Sequence, residues 1–550
     1  MLGLLKKSSI AGSSLPPLVL AFDETANLNS KTNAALSRVM RSLRRWPVWA
    51  VFLSTNSEIG RFAPPQPKDP SARIVRGELK RVRPFLGLEL DIKAREQFIT
   101  GHELAKPVRQ FSTTTHMTMF GRPLWQVWST SQYAELRRFV VFKLLCGQGA
   151  FKPHDCQHVF AVLASRLCLD PCLNREESNL LAKEAVNSHL RLLSAIDTYL
   201  GVVRTVTPSE PVVADAAAWL LLQSKPGPSA SGISASNWPE CLTLFSEHFL
   251  SRGMVDKGVK GELYARLICI LTRDYLLEET VPSIGLDQEC TYSRPFLCHD
   301  FLERLIGKPI LEELITLQAR RAPSRDRKKE IPILNDTDDD LQALLRTGYM
   351  NFNHFSQTQK PVSPETIQDL LHGLLRQHCA LQLCFGQHHW DLLIPIYFGD
   401  LDQGFDASQL SAVLLQVNNR ANRAKVPLGK EYREMFTGWN PRLVISVQME
   451  LGVMDSAIET TIRWPELGTG EPCIFGIRVL GGGKETYPVL RKHGLEDACA
   501  RLMKTLVSEN SGIESIICEK MVRFNSHTHK ERYTLGGGDT EPEDVSMGGV

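Results

Sequence analysis

The chain has no long apolar stretch and almost no net charge. No segment reaches the roughly 18 to 20 apolar residues that a membrane-spanning helix needs, so we expect a soluble protein without a membrane partner. Its 63 Lys and Arg and 61 Asp and Glu residues leave a formal charge of only +2, which excludes a histone-like binder that depends on overall charge. Any contact with nucleic acid must therefore be local.

Paired cysteine motifs are absent as well. The 13 cysteines are odd in number, include no Cys-x-x-Cys pair and often lie in apolar segments. This usage is typical of buried thiols in a reducing compartment, so we expect no disulfides and an intracellular location, in the nucleus or the cytoplasm. We also expect no zinc site at a group of zinc-capable residues that lacks a recognised ligand spacing. These are His154, Cys156, His158, Cys168 and Cys172.

What the chain does have is the length and composition of several folded domains. At 550 residues it exceeds a single hydrophobic core, and its 43% hydrophobic and 23% charged residues are ordinary for globular proteins. A Ser-, Gly- and Pro-rich segment at 224–236 predicts a linker, which we bound at 224–238. A run at 320–340 changes from basic to acidic and predicts a loop inserted in the second domain.

The apolar patterns predict an α/β multidomain fold. Strands at 18–22 and 48–53 flank a helix at 31–43, which favours a βαβ unit with parallel strands inside a first region of residues 1–125. Residues 126–223 have helical periodicity and predict an all-helical lid or adaptor, including a helix at 182–200.

The second half predicts a mixed α/β domain over residues 239–533. Helices are expected at 261–276 and 495–507. Short β-rich runs are expected to form strands at 380–385, 392–398, 412–417, 443–447 and 474–480. The Gly-rich, acidic residues 534–550 have little to bury and predict a disordered tail.

In the first region, an apolar strand ends in two acids. Residues 18–22 lead directly to Asp23 and Glu24, the order of a Walker B element, in which one carboxylate holds Mg²⁺ and the next polarises the attacking water. The second strand is followed by Asn56, an amide that could orient a γ-phosphate. Arg122 begins a helical region from which an arginine could reach phosphate. A strand followed by Asp23 and Glu24 also has an ordinary structural interpretation.

In this order the motifs resemble the nucleotide-hydrolase modules of STAND and AAA-like ATPases, especially those of Crinkler-type effectors and their large fungal relatives. The resemblance implies that Asp23 and Glu24 are the Mg²⁺-binding and water-activating carboxylates, Asn56 the sensor and Arg122 a second sensor contact. The chain departs from the family because it has no Gly-x-x-x-x-Gly-Lys-[Ser/Thr] phosphate loop upstream. Without that cradle of N–H groups we expect a truncated P-loop NTPase-like unit and no ATP binding. Either the gene sequence is truncated upstream or nucleotide hydrolysis has been lost.

Four polar residues lie at the ends of apolar segments in the second half. Glu262 is at the start of an amphipathic helix, Asp391 precedes an apolar strand, and Gln416 and Asn418 end another. Because alternate strand residues share a face, Gln416 and Asn418 point the same way. The structural interpretations are a helix N-terminal carboxylate for Glu262 and a strand-end cap for Asp391.

A helical Glu, a strand Asp and a strand Gln-Val-Asn, in that order, resemble the PD-(D/E)xK nucleases and their restriction-endonuclease-like fold. The resemblance implies that Glu262 and Asp391 bind Mg²⁺, that Gln416 occupies the position of an acid, and that Asn418 replaces the lysine that activates water. An amide supplies no positive charge to the reaction. We therefore expect a degenerate metal-dependent phosphodiesterase site, inactive or weak, in a DNA-associated, effector-like protein.

Neighbouring residues add two further expectations. At most one of the adjacent His388 and His389 can point into such a site, because neighbouring strand residues face opposite ways. The positive residues after the motif strand, which are expected to contact phosphate, are Arg420, Arg423, Lys425 and Arg433. The alternative function is a non-catalytic interaction or signalling protein, in which the helical region binds protein partners and both catalytic halves are relics.

Overall fold

The computed structural model describes most of the chain. The described residues are 18–22, 29–43, 46, 48–52, 67, 71–78, 90–99, 106–129, 132–173, 175–196, 202–223, 236–256, 258, 261–280, 291–321, 339–384, 387, 390–420, 439, 441–454, 456–463 and 473–507. Among the helices in these ranges, none combines the length and the apolar character needed to cross a membrane.

Helices dominate the middle of the chain and strands the C-terminal half. The helices are α1 (Ser30–Ser42), α2 (Ala72–Val75), α3 (Ile92–Ile99), α4 (Thr114–Met117), α5 (Tyr133–Leu144), α6 (Cys156–Leu167), α7 (Glu176–Ser188), α8 (Pro211–Leu222), α9 (Trp238–Leu244), α10 (Glu262–Thr280), α11 (Cys298–Ile306), α12 (Lys308–Arg321), α13 (Asp339–Thr347), α14 (Ile367–Arg376) and α15 (Leu495–Val507). The strands are β1 (Leu18–Phe22), β2 (Val48–Phe52), β3 (Leu192–Ile196), β4 (Val203–Val206), β5 (Phe296–Leu297), β6 (Tyr349–Met350), β7 (His354–Gln357), β8 (Cys379–Gln382), β9 (Leu392–Tyr397), β10 (Leu410–Asn418), β11 (Leu443–Glu450), β12 (Ala457–Arg463) and β13 (Cys473–Leu480).

The βαβ unit predicted in the first region is confirmed. β1 and β2 pair in parallel, with Leu18 opposite Val48, and α1 lies between them in the chain. The helix begins after Asn29, whose side-chain oxygen accepts a hydrogen bond from the backbone N–H of Thr32 at 2.9 Å. That bond satisfies one of the N–H groups that a helix start leaves without an intrahelical acceptor.

The prediction of an all-helical middle region is wrong at its end. The helix expected at 182–200 ends at Ser188, and Leu190 has a positive φ of 59°, which an α-helix cannot continue through. β3 and β4 then form an antiparallel hairpin. Short apolar runs fit a strand as well as a helix, so periodicity alone does not separate the two.

A curled mixed sheet organises the C-terminal half and confirms its mixed α/β character. The strand order is β12-β13-β11-β10-β9-β6-β5, and β8 pairs with both β9 and β7. β10, β11 and β13 are parallel neighbours, whereas β9 runs antiparallel to β10. Each of the five β-rich runs predicted from the sequence contributes a strand.

The central strands separate two hydrophobic layers. On β10, Val413 and Leu415 belong to the larger core, which also contains the buried residues of α10. Ala412 and Leu414 belong to a second core together with those of α14. This division follows from the two-residue period of a strand, and it determines which residues at the end of β10 share a face.

The linker predicted at 224–238 does not separate two hydrophobic cores. One cluster runs from Met117 through α5, α6 and α8 to α10, the sheet and α15. α8 is buried on nearly all sides because α5 and α6 pack against it. Residues 126–223 therefore share a core with the sheet. Most of the linker and of the inserted loop, and the whole of the tail at 534–550, lie outside the described residues.

Candidate functional site

The ends of β10 and β11 form a polar edge of the sheet. In the parallel register Gln416 lies opposite Gln448, and Asn418 lies opposite Glu450. Partners in register share a face, so all four side chains are on the same side. We call these four residues, together with Asp391, the strand-end cluster.

Asp391 joins the cluster as a cap of the neighbouring strand. It directly precedes β9, and its backbone N–H donates to the carbonyl oxygen of Leu415 at 2.9 Å. Its Oδ2 accepts a hydrogen bond from the backbone N–H of Val417 at 2.7 Å. The carboxylate thus replaces a backbone acceptor at the end of the strand, which supports the strand-end interpretation.

Gln416 belongs to a row of polar side chains across three further strands. Nε2 of Gln448 donates to Oε1 of Gln416 at 3.4 Å, and Nε of Arg478 donates to Oε1 of Gln448 at 2.7 Å. Nη1 of Arg478 lies 3.4 Å from Oε2 of Glu459. The Gln416 amide is therefore held in a hydrogen-bonded network that leads to the Arg478 guanidinium, which is already paired with Glu459.

Glu450 is the most unusual member of the strand-end cluster. Its side chain is fully buried, and Oε1 accepts a long hydrogen bond of 3.3 Å from Nδ2 of Asn418. Its Oε2 has no hydrogen-bond partner among the described residues. A buried carboxylate costs free energy unless it is paired, so a positive charge at position 418 would have an acceptor beside it.

The start of α10 reaches the same edge from the other side of the sheet. Gly261 has a φ of 92° and packs so closely that an added Cβ would lie 3.0 Å from Cδ1 of Leu451 and 3.7 Å from Cγ1 of Val417. Val417 belongs to the core opposite to the polar row. Glu262 is buried, and its Oε2 would lie 2.4 Å from a Cβ added to Gly258.

The described residues contain no group of three His, Cys, Asp or Glu side chains that could hold a metal ion. Asp391 and Glu262 reach the edge from different elements, and their pairing around Mg²⁺ stays a prediction. The zinc-capable group is held in other contacts: Nδ1 of His154 lies 2.6 Å from Oε1 of Glu240, and burial raises the pKa of the Cys168 thiol to about 12.

Arg122 has structural partners in place of the phosphate expected from the sequence. Its guanidinium pairs with Glu210 and donates to the carbonyl oxygen of Leu190. Oε1 of Glu210 also accepts from the backbone N–H of Arg122 and from Nε1 of Trp125, both at 2.8 Å. A phosphate could be bound by Arg122 only by displacing these partners.

Several predicted residues lie outside the described part of the chain. They are Asp23, Glu24, Asn56, His388, His389, Arg423, Lys425 and Arg433. Sequence reasoning also missed three residues of the polar edge: Gln448, Glu450 and Arg478. The sequence contains a signal for the first two, because they alternate with apolar residues at the end of β11, as Gln416 and Asn418 do at the end of β10.

Comparison with protein-family models, with curated proteins and with solved structures finds nothing that matches this chain.

Proposed function

We propose that the chain is a nucleic-acid-associated, effector-like protein whose C-terminal half is a restriction-endonuclease-like domain with a degenerate site. In this proposal the polar edge of the sheet lies beside a bound polynucleotide backbone and does not support appreciable metal-dependent cleavage. The first region is a truncated P-loop NTPase-like unit that plays no part in nucleotide hydrolysis.

The observation that carries the proposal is the composition of the strand-end cluster. Asp391, Gln416 and Asn418 meet at one edge, where β10 and its parallel neighbour β11 end and the antiparallel β9 begins. Gln416 and Asn418 stand where the resemblance requires an acid and a lysine, and their amides contact Gln448 and Glu450. This arrangement supports a nuclease-like ancestry together with the loss of its chemistry.

Cleavage of a phosphodiester needs charge that these side chains do not provide. A metal-assisted site needs carboxylates to hold Mg²⁺ and a base or cation to activate water. Gln416 and Asn418 are neutral, and the Asp391 carboxylate is engaged by the Val417 N–H. Binding is chemically less demanding, because Arg and Lys side chains need only reach the phosphates.

Arg420 is the described cation best placed for such a contact. It follows directly after the polar end of β10, and its side chain is exposed. We expect the full chain to bind a 20-base-pair duplex with an affinity that falls steeply between 50 and 200 mM KCl, because phosphate contacts release counterions. Fluorescence anisotropy in EDTA measures this. Arg420→Ala should weaken binding and reduce the salt slope by about 1.

The matched control is Arg501→Ala, which removes an exposed arginine of α15 that pairs with Glu247. It should leave both the affinity and the salt slope unchanged. Binding that does not respond to salt, or that responds equally to both substitutions, would count against the proposal.

The second candidate is a non-catalytic interaction protein. A specific observation favours it: one face of the β1–β2 sheet leaves Val19, Trp49 and Val51 exposed at 52%, 63% and 38%. These residues lie on one face because Val19 pairs with Trp49 and Ala21 with Val51. An exposed apolar face of this kind is typical of a protein interface, and an absence of DNA binding in the anisotropy assay would favour this reading.

A further inference from the structure

A hydrogen-bonded chain of Ser209, His354 and Asn353 uses none of the residues of the strand-end cluster. Oγ of Ser209 is 2.8 Å from Nε2 of His354, and Nδ1 of His354 is 2.6 Å from Oδ1 of Asn353. Ser209 lies between β4 and α8, and the other two residues lie at the start of β7. His354 and Asn353 are buried, whereas Ser209 is partly exposed. The row of hydrogen bonds therefore leads from Asn353 in the core to Ser209 near the surface.

The neighbours of Asn353 determine where the protons lie. Its Nδ2 donates to the carbonyl oxygen of Pro211 and to Oγ of Ser293, each at 3.1 Å. Oδ1 is therefore the atom that faces His354. Since an amide oxygen can only accept, Nδ1 of His354 carries the proton and Nε2 keeps its lone pair. That lone pair accepts the hydroxyl proton of Ser209, as in a histidine that activates a serine.

Two other groups lie near Ser209, one an alternative acceptor for its hydroxyl proton and the other an alternative nucleophile. Oε1 of Gln377 is 3.4 Å from Oγ of Ser209, farther than Nε2 of His354, so the single hydroxyl proton points to the imidazole. The Cys379 thiol belongs to the same cluster, but burial raises its pKa to about 11. It stays protonated at neutral pH, and a thiol is a much weaker nucleophile than a thiolate.

Ser209 also lies at the positive end of a helix. Glu210 is the N-cap of α8, a helix of 12 residues, and the partial positive charge at this end favours negative charge that develops nearby. The nearby residues Thr207, Pro208 and Glu210, but not Ser209, line a cavity of about 20 Å³, which is enough for about one water molecule. A substrate would therefore approach Ser209 from the solvent side.

We propose that Ser209 is a nucleophile toward small activated esters or thioesters, with His354 as its base and Asn353 as the residue that orients the imidazole. Oγ of Ser209 bonds to the carbonyl carbon while its proton passes to Nε2 of His354. The bond from that carbon to the alcohol or thiol then breaks, and the leaving group takes the proton from Nε2. Water attacks the acyl-serine in the same way and releases the acid. This second activity does not depend on the nucleic-acid proposal.

The surroundings of His354 predict a slow reaction with an unusual pH profile. Burial lowers the pKa of His354 to about 3, and Arg166, His378 and Arg273 oppose its positive charge further. The imidazole is therefore neutral throughout the range from pH 5 to 8 and is a weak base. An exposed histidine base would lose activity below about pH 6.5, whereas reactivity that depends on His354 should stay flat down to pH 5.

A fluorophosphonate probe tests the proposal on the full chain. Oγ of Ser209 would bond to phosphorus, fluoride would leave, and the hydroxyl proton would pass through His354 to solvent. We expect one adduct by intact mass, assigned to Ser209 by peptide mapping, at a rate that is constant over the part of the range from pH 5 to 8 in which tryptophan fluorescence shows the chain to be folded. Ser209→Ala should abolish the adduct, and His354→Gln should slow it on the order of 100-fold.

The matched control is Ser194→Ala, which removes a partly buried serine that donates to the carbonyl of Arg204 rather than facing a histidine. It should be labelled like the wild type. If His354→Gln does not fold, wild type in 6 M urea replaces it, and unfolding should remove the adduct. No adduct on the folded wild type, an adduct that survives Ser209→Ala, or equal labelling of the unfolded chain would each overturn the proposal.

Discussion

Replacing Asp274 with alanine should lower the free energy of unfolding by about 3–5 kcal/mol. Arg166, Arg273 and Asp274 are fully buried, and Oδ1 of Asp274 contacts Nη2 of Arg166 and Nη1 of Arg273. Burial lowers the pKa of Arg166 to about 10, and Asp274 is the first of the charges that oppose this shift. Without the carboxylate, both guanidinium groups would lose this counter-charge in the core.

Equilibrium unfolding in urea, followed by tryptophan fluorescence, measures the loss. Asp274→Asn keeps an acceptor without the charge and should also destabilise the fold. Replacing Arg166 and Arg273 with methionine and Asp274 with leucine should recover most of the stability, because apolar residues of similar volume often replace a buried ion network. Asp402→Ala removes the partner of Arg109 in an exposed pair and should change little. Unfolding of Asp274→Ala at the wild-type urea concentration would contradict the account.

Lowering the pH from 7 to 5 should also destabilise the fold by several kcal/mol. Burial lowers the pKa of His354 to about 3 and those of His372 and His378 to about 4, from an ordinary value of 6.5. Between these values the unfolded chain binds more protons than the folded one. Stability is therefore complete above about pH 7 and is lost as the pH falls through this window, by about 2 kcal/mol per site at pH 5.

Two described carboxyl groups work in the other direction, and one histidine offers a control. Burial raises the pKa values of Asp91 and Glu278, so these groups stabilise the fold slightly as the pH falls. His372 stacks on Phe405 with ring centroids 3.8 Å apart, a contact that His372→Phe can keep. That variant should reduce the dependence of the unfolding free energy on pH by about 1.2 kcal/mol per pH unit between pH 6 and 5. An unfolding free energy that is constant from pH 7 to 5 would contradict the assignment of these histidines as neutral.

Structural features that depend on residues close together in the sequence can be predicted from the sequence alone. The βαβ unit, the C-terminal strands and the shared face of Gln416 and Asn418 all follow from periods of 3.6 or 2 residues. The β3–β4 hairpin does not, because a short apolar run satisfies both periods. The prediction of a separate helical lid combines local helical periodicity with a Ser-, Gly- and Pro-rich boundary, whereas the continuous core depends on how α8 packs against α5 and α6.

The partners of the candidate site depend on contacts between distant parts of the chain. Gln416 meets Gln448 only because β10 and β11 are parallel neighbours in this register, and no local pattern specifies which strands pair. The ion pair of Arg166 and Asp274 joins residues 108 positions apart. For the same reason the sequence identifies Asp391 as a polar strand end but does not reveal that its carboxylate accepts from the Val417 N–H.

The central claim is that the strand-end cluster is a nuclease site that has lost its charge. The neighbours of positions 416 and 418 would accommodate the restored side chains. Among the described residues Oε2 of Glu450, beside position 418, has no hydrogen-bond partner, and Gln448 can donate to position 416. The double variant Gln416→Glu and Asn418→Lys should therefore fold.

Nicking of supercoiled plasmid in Mg²⁺ or Mn²⁺ tests this claim most directly. The wild type should be inactive or very slow, and the double variant should gain on the order of 100-fold, because a base and an electrostatic contribution return together. Adding Asp391→Ala to the double variant should abolish the gain. Robust cleavage by the wild type that is insensitive to Asp391→Ala would contradict the account and place the site elsewhere.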